Sequence, residues 1–341
     1  MSRFEQLWDE DGRLASQAPG WARQRAHMLS AFPSPFRSAT DPLGTTLAHT
    51  MQMVDALRPE PLGPAYLGTN PALTIDFDGV KQARLAAGMA GQDAILREVV
   101  ALFEGLPNWG HPLTMCNVIP QANTVSIVAS MLAQVYSPNI LEGEYAWNVH
   151  RAELETGAML ADAFGWDARA AGCIYTFGGS GCWTYALKYA LTRVLPGSRQ
   201  RGVRVDAKVV CSQQAHYTMQ NSTDWTGLGM ENILQVRTDP RTNAMDAGHL
   251  EEILRQCAAG GVPVAAIVCT MGTTDANAFD PAEQVRALID RYPNPAGYGR
   301  TLLYCDAVVG WSWTLFQPYD FDANPLGFSD EILPYLKRDA Q

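Results

Sequence analysis

Residues 175–194 read YTFGGSGCWTYALKYALTRV, and this stretch decides how the rest of the chain is understood. It starts inside an apolar run, Gly172 to Phe177, breaks at Gly178-Gly179-Ser180-Gly181, and resumes with Ala186, Leu187, Ala190, Leu191 and Val194 on one helical face. A strand, a glycine turn and a helix are predicted. Glycine lets backbone turn sharply and approach a ligand closely. The helix start offers unpaired N–H groups and the positive end of the helix dipole, which suits a phosphate. No Gly-Lys-Ser/Thr follows the turn, so it is not a Walker loop, and its spacing is not that of a dinucleotide fingerprint. Taken alone, the stretch also fits a plain strand-to-helix turn.

The chain has 341 residues, enough for one large domain with an extension or for two modest domains. A hydrophobic content of 47% supplies a core, and a net charge of −10 argues against nucleic acid or an anionic membrane surface as partner. The first residues, MSRFEQLWDEDGRLASQ, are charged and lack the apolar segment of a secretory signal. The longest apolar run, 262–271, is too short to span a bilayer. Seven scattered cysteines show no metal-binding spacing, and Cys173, Cys211, Cys269 and Cys305 fall in strand-like runs. Buried free thiols and a cytoplasmic setting are expected, with no metal.

Residues 1–80 are rich in Pro and Gly and read as an arm that wraps a partner. Helical spacing follows at 81–105, 124–136 and 151–164. From Gly172 the pattern alternates. Apolar runs at 172–177, 207–211, 233–237, 263–270 and 301–305 read as strands, and 181–194, 217–226, 246–258 and 281–290 read as helices. Continuous apolar strands separated by helices predict an α/β fold with a mostly parallel sheet covered on both faces. Right-handed crossovers then gather ligand groups at the carboxyl ends of the strands. The glycine turn, Ala215-His216-Tyr217, Gly272-Thr273-Thr274 and Asp306-Ala307-Val308 all fall at such ends.

Those four motifs, with Ala278-Phe279-Asp280-Pro281, resemble the pyridoxal-phosphate-dependent group II amino-acid decarboxylases. The resemblance runs from about His111 to the C-terminus. It implies an aminotransferase-like (fold type I) large domain at 111–341, preceded by a helical N-terminal region at 1–110, and pyridoxal phosphate as cofactor. Asp306 resembles the carboxylate that keeps the cofactor's ring nitrogen protonated, an opposite-charge effect. His216 resembles the histidine stacked on the ring, and these two are the expected catalytic residues. Gly179, Ser180 and Gly181 resemble the phosphate turn, Thr273 or Thr274 the threonine near the ring, and Val308 the residue on the opposite ring face. His111 and the loop from Asn117 to Pro120 resemble a substrate-facing region. Cys182-Trp183 departs from the family pattern, which has a small residue and then Asn, so Trp183 is expected to reshape that corner.

The family also needs a lysine to hold the cofactor's aldehyde, about thirty residues beyond the aspartate and usually just after a His. The four lysines are Lys81, Lys188, Lys208 and Lys337. Only Lys337 has a suitable distance, but no His precedes it. Residues 329–341 read as a polar, exposed helix, and 311–327 as an insertion before it. The small C-terminal domain is expected to be missing too. The reading is an L-amino-acid decarboxylase whose pocket half lies here, completed by a second polypeptide or by further residues, in a homo- or hetero-oligomer. Aldehyde synthase or lyase chemistry on the same scaffold stays open. So does a non-catalytic scaffold subunit that keeps the pocket.

Overall fold

The computed structural model describes residues 20–23, 31–34, 37, 41–69, 75–85, 88, 90–114, 119–141 and 143–340. The chain divides into two compact units, Met1–Ser137 and Pro138–Gln341.

The first unit is helical. Helix α1 (Pro42–Asp55) starts at Asp41, whose carboxylate accepts the Leu43 N–H at 2.8 Å, a side-chain cap on an otherwise orphaned donor. Helix α2 (Gln92–Ala101) is much shorter than the periodicity at 81–105 predicts, because Gly91 serves as its N-cap and Gly105 turns at φ +82°. His49 Nε2 and Asp93 Oδ1, 2.8 Å apart, join α1 to α2. Helix α3 (Thr124–Tyr136) has the predicted limits, capped by the Asn123 side chain and ended by left-handed Ser137. None of its residues is buried.

In the second unit, helix α4 (Asn148–Ala163) precedes the glycine turn. Helix α5 (Gly179–Val194) leads to strand β1 (Lys208–Ser212), helix α6 (Thr218–Trp225) and strand β2 (Ile233–Val236). Helix α7 (Ala247–Ala259), strand β3 (Val264–Thr270), helix α8 (Ala282–Arg291) and strand β4 (Leu302–Asp306) follow. The strands pair in the order β2-β1-β3-β4, all parallel. Strand β3 is buried along its whole length, as a continuous apolar run at the centre of a covered sheet should be.

Strand alternation divides the core into two layers. On one face Trp183, Leu187, Leu191 and Val194 of α5 pack with Val209, Cys211, Ala266 and Val268, with Leu302 and Tyr304 at the margin. On the other, Leu250 and Leu254 of α7 and Val285, Leu288 and Ile289 of α8 pack with Val210, Ile267 and Cys269, with Leu303 at the margin. Burying one such aliphatic side chain stabilises the fold by about 1.5–3 kcal/mol. The chain leaves β1 in one direction to make β2, then crosses to β3 on the other side. The crevice at the carboxyl ends of β1 and β3 is therefore the topological switch point.

Two expectations fail here. The run 172–177 makes no strand and has no ladder partner among the described residues; Ile174, Tyr175 and Phe177 are exposed. Its composition suits a covered strand, but a strand exists only with a neighbour to pair with. Cys173 and Cys305 are exposed rather than buried, whereas Cys211 and Cys269 are buried as expected. Cys305 differs because β4 is the last strand of the sheet.

Residues 310–328 are also more than an inserted loop. A 3-10 helix (Gly310–Phe316) leads into a ring cluster in which Phe316, Tyr319 and Phe328 have centroids 5.8–6.0 Å apart. The Tyr319 hydroxyl donates to Asn324 Oδ1 at 2.7 Å, which closes the turn. Helix α9 (Leu333–Ala340) follows.

Candidate functional site

Gly178 is the N-cap of α5 at φ +106°, a conformation that favours glycine, and no side chain caps the helix. The first intrahelical bond runs from Cys182 N–H to Gly178 C=O, so the N–H groups of Gly179, Ser180 and Gly181 lack helical acceptors. Space around the turn is tight on the protein side. A β-carbon on Gly181 would lie 2.7 Å from Thr176 Oγ1, and one on Gly179 would lie 3.2 Å from Val308 Cγ2. The Gly179 contact brings the turn against the segment after β4.

Asp306 ends β4 opposite Thr270 of β3, and its carbonyl accepts the Met271 N–H at 2.8 Å. Its carboxylate accepts the Val308 N–H at 3.4 Å. Burial raises the Asp306 pKa, opposed by that N–H and by the nearby charge of His216. The charge of His216 thus reaches the Asp306 carboxylate. The Thr218 N–H donates to His216 Nδ1 at 3.2 Å, so the neutral ring carries its proton on Nε2. The His216 ring lies 4.1 Å from that of Tyr217.

The other expected residues divide. Val308 is 54% exposed and open to a ligand. Thr273 is buried, and its Oγ1 accepts the Ala278 N–H at 3.0 Å, so its hydroxyl closes its own turn. Thr274, beside it, is half-buried. His111 lies in the first unit, buried, with Nδ1 accepting the Leu113 N–H and Nε2 unpartnered. Asn117 lies outside the described residues. Trp183 is fully buried, its ring 4.9 Å from that of Tyr304, and its indole N–H has no partner. It has turned into the core instead of filling the glycine corner. Among the described residues no cluster of side chains could hold a metal ion.

Asp280 lies in the Ala278–Pro281 motif, and the sequence carries no signal of its structural role. Buried at the base of the loop, it accepts the Met245 and Thr270 N–H groups, both at 2.7 Å. This fixes the end of β3, from which the Gly272 turn springs. Its pKa is raised by burial and pulled back by the two N–H donors.

The lysines stand elsewhere. Lys337, on α9, has its Nζ 3.8 Å from Asp322 Oδ1, and Lys208 donates to Asn232 Oδ1 at 2.6 Å. Lys188 is exposed on α5, and Lys81 pairs with Asp78 in the first unit.

An uncapped helix start, a half-buried carboxylate and a histidine of fixed tautomer suit an anionic tail and a protonatable ring. A family model described as the pyridoxal-dependent decarboxylase conserved domain matches residues 91–316. The chain belongs to that family. Its cofactor is pyridoxal phosphate. L-2,4-diaminobutyrate decarboxylase of Acinetobacter baumannii is 25% identical over 264 residues, which cover 72% of this chain and 49% of that protein. The glutamate decarboxylase domain of a diaminobutyrate-pyruvate transaminase and L-2,4-diaminobutyrate decarboxylase from Vibrio parahaemolyticus matches with a TM-score of 0.69 at 20% identity, over 85% of this chain and 62% of that one. Oryza sativa TDC with PLP and tryptamine matches at 0.69 and 18% identity, over 83% and 57%. These likenesses establish the fold, that of the decarboxylase large domain. The chain spans about half the length of the diaminobutyrate decarboxylase, and 35–39% of the acidic amino acid decarboxylases it also matches.

The residues of the second unit fit the family's cofactor. The three free N–H groups of the glycine turn would hold the phosphate. Asp306 would face the ring nitrogen, with His216 and Val308 beside the ring. Among the described residues no helix is long and apolar enough to cross a membrane.

Proposed function

We propose that the protein decarboxylates an L-amino acid or a close relative, and that these 341 residues supply the cofactor pocket while the lysine that holds the cofactor comes from residues outside them. The observation that carries this reading is the placement of the glycine turn, His216 and Asp306 around the carboxyl ends of the sheet, while Lys337 lies on α9 with its Nζ 3.8 Å from Asp322. When bound, pyridoxal phosphate supplies a protonated ring that takes up the electron pair left as the α-carbon–carboxylate bond breaks. Asp306 holds the proton on the ring nitrogen. His216 offers Nε2–H beside the ring, as a stacking group and a proton donor. The turn anchors the phosphate, and Val308 packs beside the ring.

The test is borohydride reduction of the protein isolated from its source with whatever accompanies it, after addition of pyridoxal phosphate, followed by peptide mapping. The reading predicts the label on a lysine outside these 341 residues. Label on Lys337 would make the chain self-sufficient. No label on any lysine of a folded assembly would favour the second reading, a non-catalytic subunit with a decarboxylase fold, for which the placement of the four lysines is the supporting observation.

A further inference from the structure

We propose that Ser222 and Thr184 form a hydroxyl relay from α6 into the glycine turn, and that they are positioning residues for the cofactor's phosphate, acting on it through the Gly181 N–H. The inference rests on the reading that the turn holds that phosphate.

Thr184 lies on α5, one helical turn beyond Ser180, and its hydroxyl donates to the Ser180 carbonyl at 2.8 Å. Its oxygen is also 2.8 Å from Ser222 Oγ of α6. A threonine hydroxyl has one proton to give. Here it goes to the carbonyl, which can only accept, so Ser222 is the donor in the second bond. Both bonds therefore run in one direction, from Ser222 to Thr184 to the Ser180 carbonyl. That carbonyl shares its peptide group with the Gly181 N–H, which has no helical acceptor. A peptide whose oxygen accepts hydrogen bonds is polarised, and its N–H becomes a stronger donor. An anion at the turn would be the last acceptor of this chain.

Thr176 serves the first peptide of the turn in the same way. Its hydroxyl donates to the Gly178 carbonyl at 2.9 Å, and its oxygen lies 3.2 Å from Cys182 Sγ. With the threonine proton on the carbonyl, the Cys182 thiol is the donor. The Gly178 carbonyl shares its peptide group with the Gly179 N–H. Two of the three free N–H groups are thus backed by a threonine hydroxyl.

The Ser222 arm differs in where it starts. Ser222 is buried, and the layer in which α5 meets α6 is otherwise built from Trp183, Leu187 and Met219. Helix α6 begins just after His216, and its Thr218 N–H fixes the His216 ring. The bond between Thr184 and Ser222 therefore ties the helix of the glycine turn to the helix behind the histidine. A hydroxyl pair of this kind contributes little net stability, because both groups leave water to form it. Its direction, toward the turn, is what the relay uses.

The experiment measures dissociation constants for pyridoxal phosphate and for pyridoxal, which lacks the phosphate, together with thermal melts. The variants Thr184→Val, Ser222→Ala and the two combined are introduced into the completed assembly. Valine keeps the shape of threonine and removes the hydroxyl. Thr184→Val is expected to weaken pyridoxal phosphate by about three- to tenfold, the worth of one neutral hydrogen bond, and to leave pyridoxal unchanged. Ser222→Ala is expected to cost about twofold, because Thr184 still donates to the carbonyl. Thr184→Ser keeps the hydroxyl and is expected to retain most of the affinity.

Stability and affinity separate in the double variant. Thr184→Val strands the buried Ser222 hydroxyl and lowers the melting temperature. Adding Ser222→Ala removes the stranded group and restores stability, while phosphate affinity stays as low as with Thr184→Val alone. Affinity that recovers with the melting temperature, or equal losses for pyridoxal phosphate and pyridoxal, would make the pair a support of the fold only and would overturn the proposal. The Gly181 amide resonance separates the relay from the reading beneath it. A resonance that shifts when the wild type binds pyridoxal phosphate, with variants that bind as tightly as the wild type, refutes the relay alone. A resonance that does not shift refutes the phosphate turn, and the relay with it.

Discussion

Gly179 and Val308 touch across the site: a β-carbon on Gly179 would lie 3.2 Å from Val308 Cγ2. The glycine turn and the segment after Asp306 are therefore set against each other. Gly179→Ala is expected to weaken cofactor binding, and adding Val308→Ala to restore part of the loss, because the exposed valine is what must give. Gly181→Ala has no such escape, since its β-carbon would meet Thr176 Oγ1 and Cβ at 2.7 and 2.8 Å. It should cost about 1–3 kcal/mol of stability. Thermal melts and cofactor titration of the three variants check the order.

Trp183 and Tyr304 test whether the departure from the family pattern is structural. Trp183→Ala should destabilise by about 3–5 kcal/mol, the range for a large buried aromatic. Trp183→Phe should cost clearly less, because the indole N–H has no partner to lose. Denaturant unfolding measures both. A phenylalanine variant as damaged as the alanine one would mean that the indole nitrogen has a role.

Asp280 is predicted to be the main support of the β3 end. Asn offers one acceptor oxygen where the carboxylate serves two N–H groups, so Asp280→Asn should cost about 1–3 kcal/mol. The sign of the pH effect follows from the raised pKa. The folded state binds the Asp280 proton more tightly than the unfolded chain, whose value is near 3.8. Its contribution to stability is then fully present below 3.8 and is lost as pH rises through the folded pKa. The asparagine variant should lack that component of the acid-range slope, as denaturant midpoints over a pH series would show.

The sequence was legible where local pattern and burial agree. The four strands that form, and helices α5 to α8, lie within one or two residues of their predicted limits, because each contributes side chains to one of the two core layers. The run 172–177 looks the same in composition and makes no strand, because pairing is a property of the neighbour and not of the run. Cys305 is exposed for the same reason. In the site, the strand-end rule put His216 and Asp306 at the carboxyl ends of β1 and β4, where they lie; the roles proposed for them come from the family resemblance. It could not tell Thr273 from Thr274, since the burial of Thr273 and its bond to the Ala278 N–H depend on how the turn from Gly272 to Ala278 folds. The Asp280 clamp joins residues 35 positions apart and left no local signal. The aromatic cluster at 316–328 likewise depends on a turn at Asn324, at φ +43°, that spacing does not reveal.

The central claim is that Asp306 holds the proton on the cofactor's ring nitrogen. Without cofactor, burial raises the Asp306 pKa, so the carboxylate takes up a proton more readily than an exposed Asp. A pyridinium beside it reverses that, and cofactor affinity should fall as pH drops through the Asp306 pKa. The direct measurement is nitrogen NMR of pyridoxal phosphate labelled with nitrogen-15 in the ring, bound to the completed assembly, for the wild type and Asp306→Asn. The account predicts a protonated ring nitrogen in the wild type, an unprotonated one in the variant, and a loss of cofactor affinity of about 10- to 100-fold, the worth of a charge-assisted hydrogen bond. The same protonation state in both proteins would contradict it.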